Sequence, residues 1–277
     1  MLIVLRTVDK WTGRKEVVIM HKIRIVILLV VMLAGAGRVQ AALTWDIYKD
    51  AVIDEVGDFY GRVHIYDTPP EHTSVNMVGG RVDVMWVYDA STLNMTGGRV
   101  STLLGVESST VNISGGAEVR SAGVWEFGTV NMSGGDVELV RTKDHTTMNI
   151  SGGSVEYAVE VRDLGVLNMT GGQVHVLTAF DSAFVNLLGG NISEMGIAER
   201  GGRKFDGVIN VYGYDLVKTS SGGKYGHGQV YGSWYEDTRF TIELRGSDTY
   251  SGIALIPEPT TLLLLGIGAA IVRMRKQ

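Results

Sequence analysis

One phrase recurs along this chain: "VNMVGGRV" at 75–82, "LNMTGGRV" at 93–100, "VNISGGAEV" at 111–119, "VNMSGGDV" at 130–137, "MNISGGSV" at 148–155, "LNMTGGQV" at 167–174 and "VNLLGGNI" at 185–192. Its asparagines, Asn76, Asn94, Asn112, Asn131, Asn149, Asn168 and Asn186, are spaced by 18 or 19 residues throughout. A unit this short cannot enclose its own apolar side, so it must stack on its neighbours as a solenoid. Each unit opens with strict alternation. In "TLNMT", Leu93 and Met95 point one way, and Thr92, Asn94 and Thr96 the other. Two glycines follow and permit a sharp corner with φ > 0. A further inward residue comes next (Val82, Val100, Val119, Val137, Val155, Val174, Ile192), and a looser apolar stretch returns the chain. Strand, corner, strand and return make one coil of a parallel β-helix. The 37 glycines among 277 residues, with only 4 prolines, fit a fold of many tight turns.

The expected fold is therefore all-β: a parallel β-helix of 18–19-residue coils over residues 75–207. Right-handed winding is expected, with a left-handed triangular form as the alternative. Equivalent residues lie ~4.8 Å apart along the axis, so the seven asparagines are placed to stack as a structural ladder, each amide donating to the next. Residues 42–74 are expected to cap one end, with Val63 and Ile65 as a degenerate first coil. Residues 208–256 lose the repeat. Their Gly-rich "SSGGKYGHG" between alternating runs reads as a hairpin, giving a C-terminal antiparallel β cap.

The two ends differ from the body. Residues 20–42 carry a basic start at Lys22 and Arg24, an apolar run from Ile25 to Leu33, and the small-residue site Val39-Gln40-Ala41. They read as a secretory signal peptide within 1–41, with Met20 expected as the true start. At the other end, Pro257-Glu258-Pro259 precedes an apolar stretch, Leu262 to Val272, and a basic tip of Arg273, Arg275 and Lys276. Hydrophobic helices are expected at both termini, the C-terminal one serving as a transmembrane helix whose basic tip stays on the cytoplasmic side.

With the ends set aside, residues 42–256 hold 15 Lys+Arg against 27 Asp+Glu, a net of −12. That balance argues against nucleic acid, whose phosphates reward Lys and Arg. There is no Cys, hence no disulfide and no thiolate chemistry. His64, His72, His145, His175 and His227 show no metal-ligand spacing, and no cofactor motif is found. One column invites a catalytic reading. Glu138 and Glu156 follow the inward valines of adjacent coils, and two carboxylates about 5 Å apart can serve a retaining glycosidase. A solvated outer wall explains them as well, and no pocket-forming insertion interrupts the repeat. A second surface is flat and polar: Thr92, Thr110, Thr129 and Thr147 on one side of the Asn column, and Thr96, Ser114, Ser133, Ser151 and Thr170 on the other. Such an array suits a repetitive polymer or ice, although ladder stacking alone accounts for it.

Residues 257–277 closely resemble the PEP-CTERM sorting signal of Gram-negative exported proteins. The matching features are Pro257, Glu258, Pro259, Thr261, the Leu run, Gly266 and the basic tip. The resemblance implies an exosortase, a membrane transpeptidase, as partner, a transient stage at the inner membrane, and a setting rich in exopolysaccharide. The closing block also resembles C-terminal segments of repeat proteins bearing this tag, which place a Trp and an Asp-Gly-Thr-x-Phe phrase here. Trp234, Asp237, Thr238 and Phe240 match, with Glu-Asp-Thr replacing Asp-Gly-Thr. The expectation is an exported, non-enzymatic structural or adhesive solenoid of the cell envelope or extracellular matrix, with polysaccharide as a partner. The alternatives are a polysaccharide lyase or glycoside hydrolase, and a glycan- or ice-binding module.

Overall fold

The computed structural model describes residues 43–54, 61–198 and 205–257. Alternating sequence becomes strand everywhere. One parallel ladder stacks β2 (Ala51–Ile53), β4 (Ser74–Met77), β6 (Thr92–Met95), β8 (Thr110–Ile113), the starts of β10 (Thr129–Thr142) and β11 (Thr147–Val161), β12 (Val166–Met169), β14 (Phe184–Leu187), β16 (Val208–Lys218) and β19 (Ile253–Pro257). The second ladder stacks β1 (Leu43–Ile47), β3 (Gly61–Ile65), β5 (Arg81–Val87), β7 (Arg99–Gly105), β9 (Glu118–Val124), the ends of β10 and β11, β13 (Gln173–Phe180), β15 (Asn191–Ala198) and β18 (Arg239–Arg245). The chain alternates between the two ladders, crossing at one corner through the glycine doublet and at the other through a short turn.

The inward columns fill the space between the ladders. Leu93, Met95, Val100 and Leu103 of one coil lie on Val111, Ile113, Val119 and Ala122 of the next, all buried. Fully burying each large side chain contributes roughly 1.5–3 kcal/mol. Unbranched Met recurs at the inner end of the first strand (Met77, Met95, Met132, Met169), where its flexible thioether fills the space under the glycine corner. The second glycine of the doublet turns the chain: Gly80, Gly98, Gly135, Gly153 and Gly172 all have φ between +79° and +83°.

Residues 42–74 do more than close an end. Strands β1, β2 and β3 already run in the two ladders, with Trp45 paired to Val63 and Val63 to Met85. At the far end β17 (Gln229–Ser233) joins β16 and β18 antiparallel, and β19 returns to pair parallel with β16. Within this block Asp237 stands where the Asp-Gly-Thr phrase has Gly, and its φ is +59°. Aspartate is among the few non-glycine residues that adopt this region readily, so the turn survives the replacement. Trp234 is buried, stacks on Phe240 at 3.9 Å and donates Nε1–H to the Gly190 carbonyl at 2.8 Å, sealing the last coil.

The expectation of terminal hydrophobic helices, and of a transmembrane helix, is corrected. All nineteen described elements are strands, and no helix among the described residues is long and apolar enough to cross a membrane. The physical reason is visible at the C-terminus. Leu255, Ile256 and Pro257 are committed to β19, paired with Val211, Tyr212 and Gly213. The apolar run beyond them, at about 1.5 Å per residue as a helix, falls well short of a hydrocarbon core of about 30 Å. The stretches on which both helices were placed lie outside the described residues.

Candidate functional site

The asparagines of the repeat face outward on the first ladder and bond in series. Asn94 donates Nδ2–H to Asn76 Oδ1 (2.9 Å), Asn112 to Asn94 (2.7 Å), Asn131 to Asn112 (2.8 Å), Asn149 to Asn131 (2.8 Å), Asn168 to Asn149 (3.0 Å) and Asn186 to Asn168 (2.8 Å). Sequence spacing misses an eighth rung. Asn210 donates to Asn186 at 3.0 Å across 24 residues rather than 18 or 19. The signal was present, since "VINV" at 208–211 keeps the apolar-Asn-apolar order of the repeat. Because the amides satisfy one another, this face offers a ligand the flanking Thr and Ser hydroxyls more than the amides. Asn131→Ala should cost about 1–2 kcal/mol in chemical denaturation, because Asn112 loses a donor and Asn149 an acceptor. Asn76→Ala, at the first rung and exposed, should cost less. Equal, negligible losses at both would remove the ladder as a source of stability.

The other corner carries a column that the repeat alignment overlooked. Asp89, Glu107, Glu126, Asp144, Asp163 and Asp181 occupy the left-handed region, one per coil, with φ from +52° to +65°. Their recurrence at the coil spacing was legible, but they lie in the looser return segments. Asp89 N–H donates to Glu107 Oε2 at 2.9 Å. The hydrogen-bonded Asp89 carboxyl, then burial, push the Glu107 carboxyl above its ordinary value. Among the described residues no group of three or more His, Cys, Asp or Glu side chains is arranged to hold a metal ion.

On the outer wall of the second ladder, Glu138 and Glu156 are not simple neighbours. The register shifts after Val137 and Val155, and Leu139 pairs with Ala158, so Glu156 and Tyr157 together face the single Glu138. Arg120 Nε lies 3.6 Å from Glu138 Oε2. The same wall carries aromatic rings in its first coils. Tyr48 stacks on Tyr66 (5.1 Å, 13°), Tyr66 on Tyr88 (4.8 Å, 4°), and His64 on Trp86 (6.4 Å, 7°). Burial, then the nearby Asp46, raise the Tyr66 phenol; burial, then Tyr66 and Asp46, raise Tyr88, so both stay neutral donors.

Further along, Glu194 of β15 is buried and accepts from Lys224 Nζ (2.6 Å) and Tyr225 Oη (2.6 Å), with Arg245 Nε at 3.2 Å. The Gly-rich hairpin loop is thereby folded down onto the coil wall. Burial alone would raise Glu194. The Lys224 and Tyr225 hydrogen bonds, with the charges of Lys224 and Arg245, outweigh it and hold the carboxyl below its ordinary value. Of the sorting residues, Pro257 ends β19 and is exposed, while Glu258 and Pro259 lie outside the described residues.

Residues 255–276 match the PEP-CTERM protein-sorting motif. No curated protein and no solved structure matches the chain. Fold and tail together define the class: an exported β-solenoid bearing a PEP-CTERM motif, which implies sorting by an exosortase-like system to the cell surface or beyond.

Proposed function

We propose that this protein is a non-enzymatic structural and adhesive rod of the cell envelope or extracellular matrix, with polysaccharide as its partner. The observation that carries the reading is the junction of body and tail. The sorting match begins at residue 255, inside β19, which closes the last coil by pairing with β16. The sorting signal thus starts within the strand that closes the last coil, as suits a body handed outward by a processing enzyme at the inner membrane. A polysaccharide lyase or hydrolase using Glu138 and Glu156 has less support, because Arg120 engages Glu138 and the bulge offsets the pair.

Strand pairing also bounds the processed end. A cut before Ile253 would strip β19 and bare the edge of β16. Intact mass measurement on protein from the host's surface fraction should therefore give a chain that begins near Ala42 and ends beyond Pro257. A chain still ending at Gln277 in the inner membrane fraction would overturn the reading.

A further inference from the structure

We propose that the aromatic row on the outer wall of the second ladder binds an extended, neutral polysaccharide lying along the coil axis; this deepens the polysaccharide reading above and rests on it. Tyr48, His64, Tyr66, Trp86, Tyr88 and Trp125 line this row. The fold does not require rings there. The backbone bonds Tyr66 N–Ile47 O, Tyr88 N–Ile65 O, Val106 N–Val87 O, Trp125 N–Gly105 O and Lys143 N–Val124 O place Tyr48, Tyr66, Tyr88, Val106, Trp125 and Lys143 in one column. Val and Lys serve that column elsewhere, so the rings of the first coils answer to something other than stacking of the coils. They also remain accessible: Tyr48 is 51% exposed and the others are half-buried.

The geometry favours a sugar chain. The rings of Tyr48, Tyr66 and Tyr88 stack at 4.8–5.1 Å, the rise of one coil, so their polar edges recur at that interval. Each pyranose of an extended 1,4-linked chain advances by a similar distance, which sets one sugar against each coil. The polar edges converge. His64 Nδ1 lies 3.3 Å from Tyr88 Oη and 3.5 Å from Tyr66 Oη, so imidazole and phenols form one patch able to exchange hydrogen bonds with sugar hydroxyls. Trp125 supplies what stacked rings cannot. Its indole stands at 71° to Trp86, 6.2 Å away, outside the parallel stack of the other rings, and packs over the side-chain-free Gly123, with Nε1 and Cε2 within 4 Å of where a Cβ would sit. An indole face suits the C–H face of a pyranose, as it suits other flat apolar surfaces.

Charge selects against a polyanion. Asp46 shares the wall, and Asp89, Glu107 and Glu126 occupy the adjoining turns. Among the cations of this wall, Arg62 lies beside the row on β3, whereas Arg99, Arg120, Arg141, Lys143 and Arg162 lie on later coils and are engaged by Glu118, Glu138, Glu160 and Asp144.

The test uses processed protein from the host, with the 1,4-linked cellohexaose and mannohexaose as neutral probes and an oligoguluronate as the anionic one, followed by calorimetry and tryptophan fluorescence. The neutral probes should bind and the anionic one should bind more weakly. Trp125→Ala should weaken binding by about tenfold or more and Tyr66→Phe by about fivefold. Tyr157→Ala, an exposed tyrosine outside the row, should leave it unchanged. Tyr66→Phe removes only a hydroxyl and guards against a folding defect in the tryptophan variant. Neutral binding that both row variants retain would place the sugar site elsewhere and leave the adhesive reading standing. Wild-type protein that binds none of the probes would remove the polysaccharide partner itself. Concentration-dependent self-association abolished by Trp125→Ala would make the row a contact between copies of this chain and overturn the proposal.

Discussion

Alanine at Gly153 should destabilise the protein by about 3 kcal/mol, and alanine at Gly116 by nothing measurable, although both stand second in an identical Ser-Gly-Gly doublet. Gly153 has φ +83°, and a Cβ there would meet the Gly134 backbone at 2.7 Å and Met132 Cε at 2.6 Å. The methionine can move; the carbonyl of the preceding coil is main chain within β10 and yields less readily. Strain of about 1–2 kcal/mol for a left-handed residue adds to about 1–3 kcal/mol for overpacking. Gly116 meets nothing within 4 Å. Its unit carries one extra residue, which shifts the left-handed corner to Gly115 (φ +59°) and leaves Gly116 outside it. Removing backbone freedom from the unfolded chain should even stabilise Gly116→Ala by a few tenths, to about 1 kcal/mol. Urea titration of the two variants decides the matter. Equal losses would mean that the doublet acts through composition rather than through coil-to-coil contact.

The second large effect is expected at Glu194. Replacing it by Ala should cost about 2 kcal/mol and loosen the hairpin loop first, because Lys224, Tyr225 and Arg245 all converge on this one buried carboxylate. Removing the buried member leaves its partners free to return to water, so the loss is smaller than for stranding a buried charge. The effect should also follow pH. The folded Glu194 carboxyl lies below its ordinary value of 4.5, so its contribution is fully present above that value and is lost as pH falls through the lower folded one. Hydrogen exchange in residues 219–228 should therefore quicken on acidification in the wild type. In Glu194→Gln it should already be fast at neutral pH and respond little to acid. A loop whose protection is the same in both proteins at neutral pH would show that the clasp does not hold the cap.

Much of this was legible residue by residue. The period of the Asn and the strict alternation of Leu93, Asn94 and Met95 fix a coil length and an inside and an outside, because both are properties of a few consecutive residues. The ladder hydrogen bonds follow once equal coils stack. Other features depend on where non-repeating residues meet across coils. The rung at Asn210 was hidden because its spacing from Asn186 is 24 rather than 18 or 19. The offset of Glu138 and Glu156 comes from a one-residue bulge, which alternation alone does not reveal.

The sequence by itself therefore determined the architecture: a stack of short parallel coils, glycine at one corner, an amide column on one face, and a sorting tail at the end. The tertiary structure decided which glycine of a doublet bears the corner, that acidic residues turn the opposite corner, that rings scattered from Tyr48 to Trp125 form one row, and that the sorting signal begins within the last strand. The physical reason is one of range. A repeat encodes what each residue does within its own coil, whereas contacts at ~4.8 Å between coils depend on the accumulated register of every residue between them.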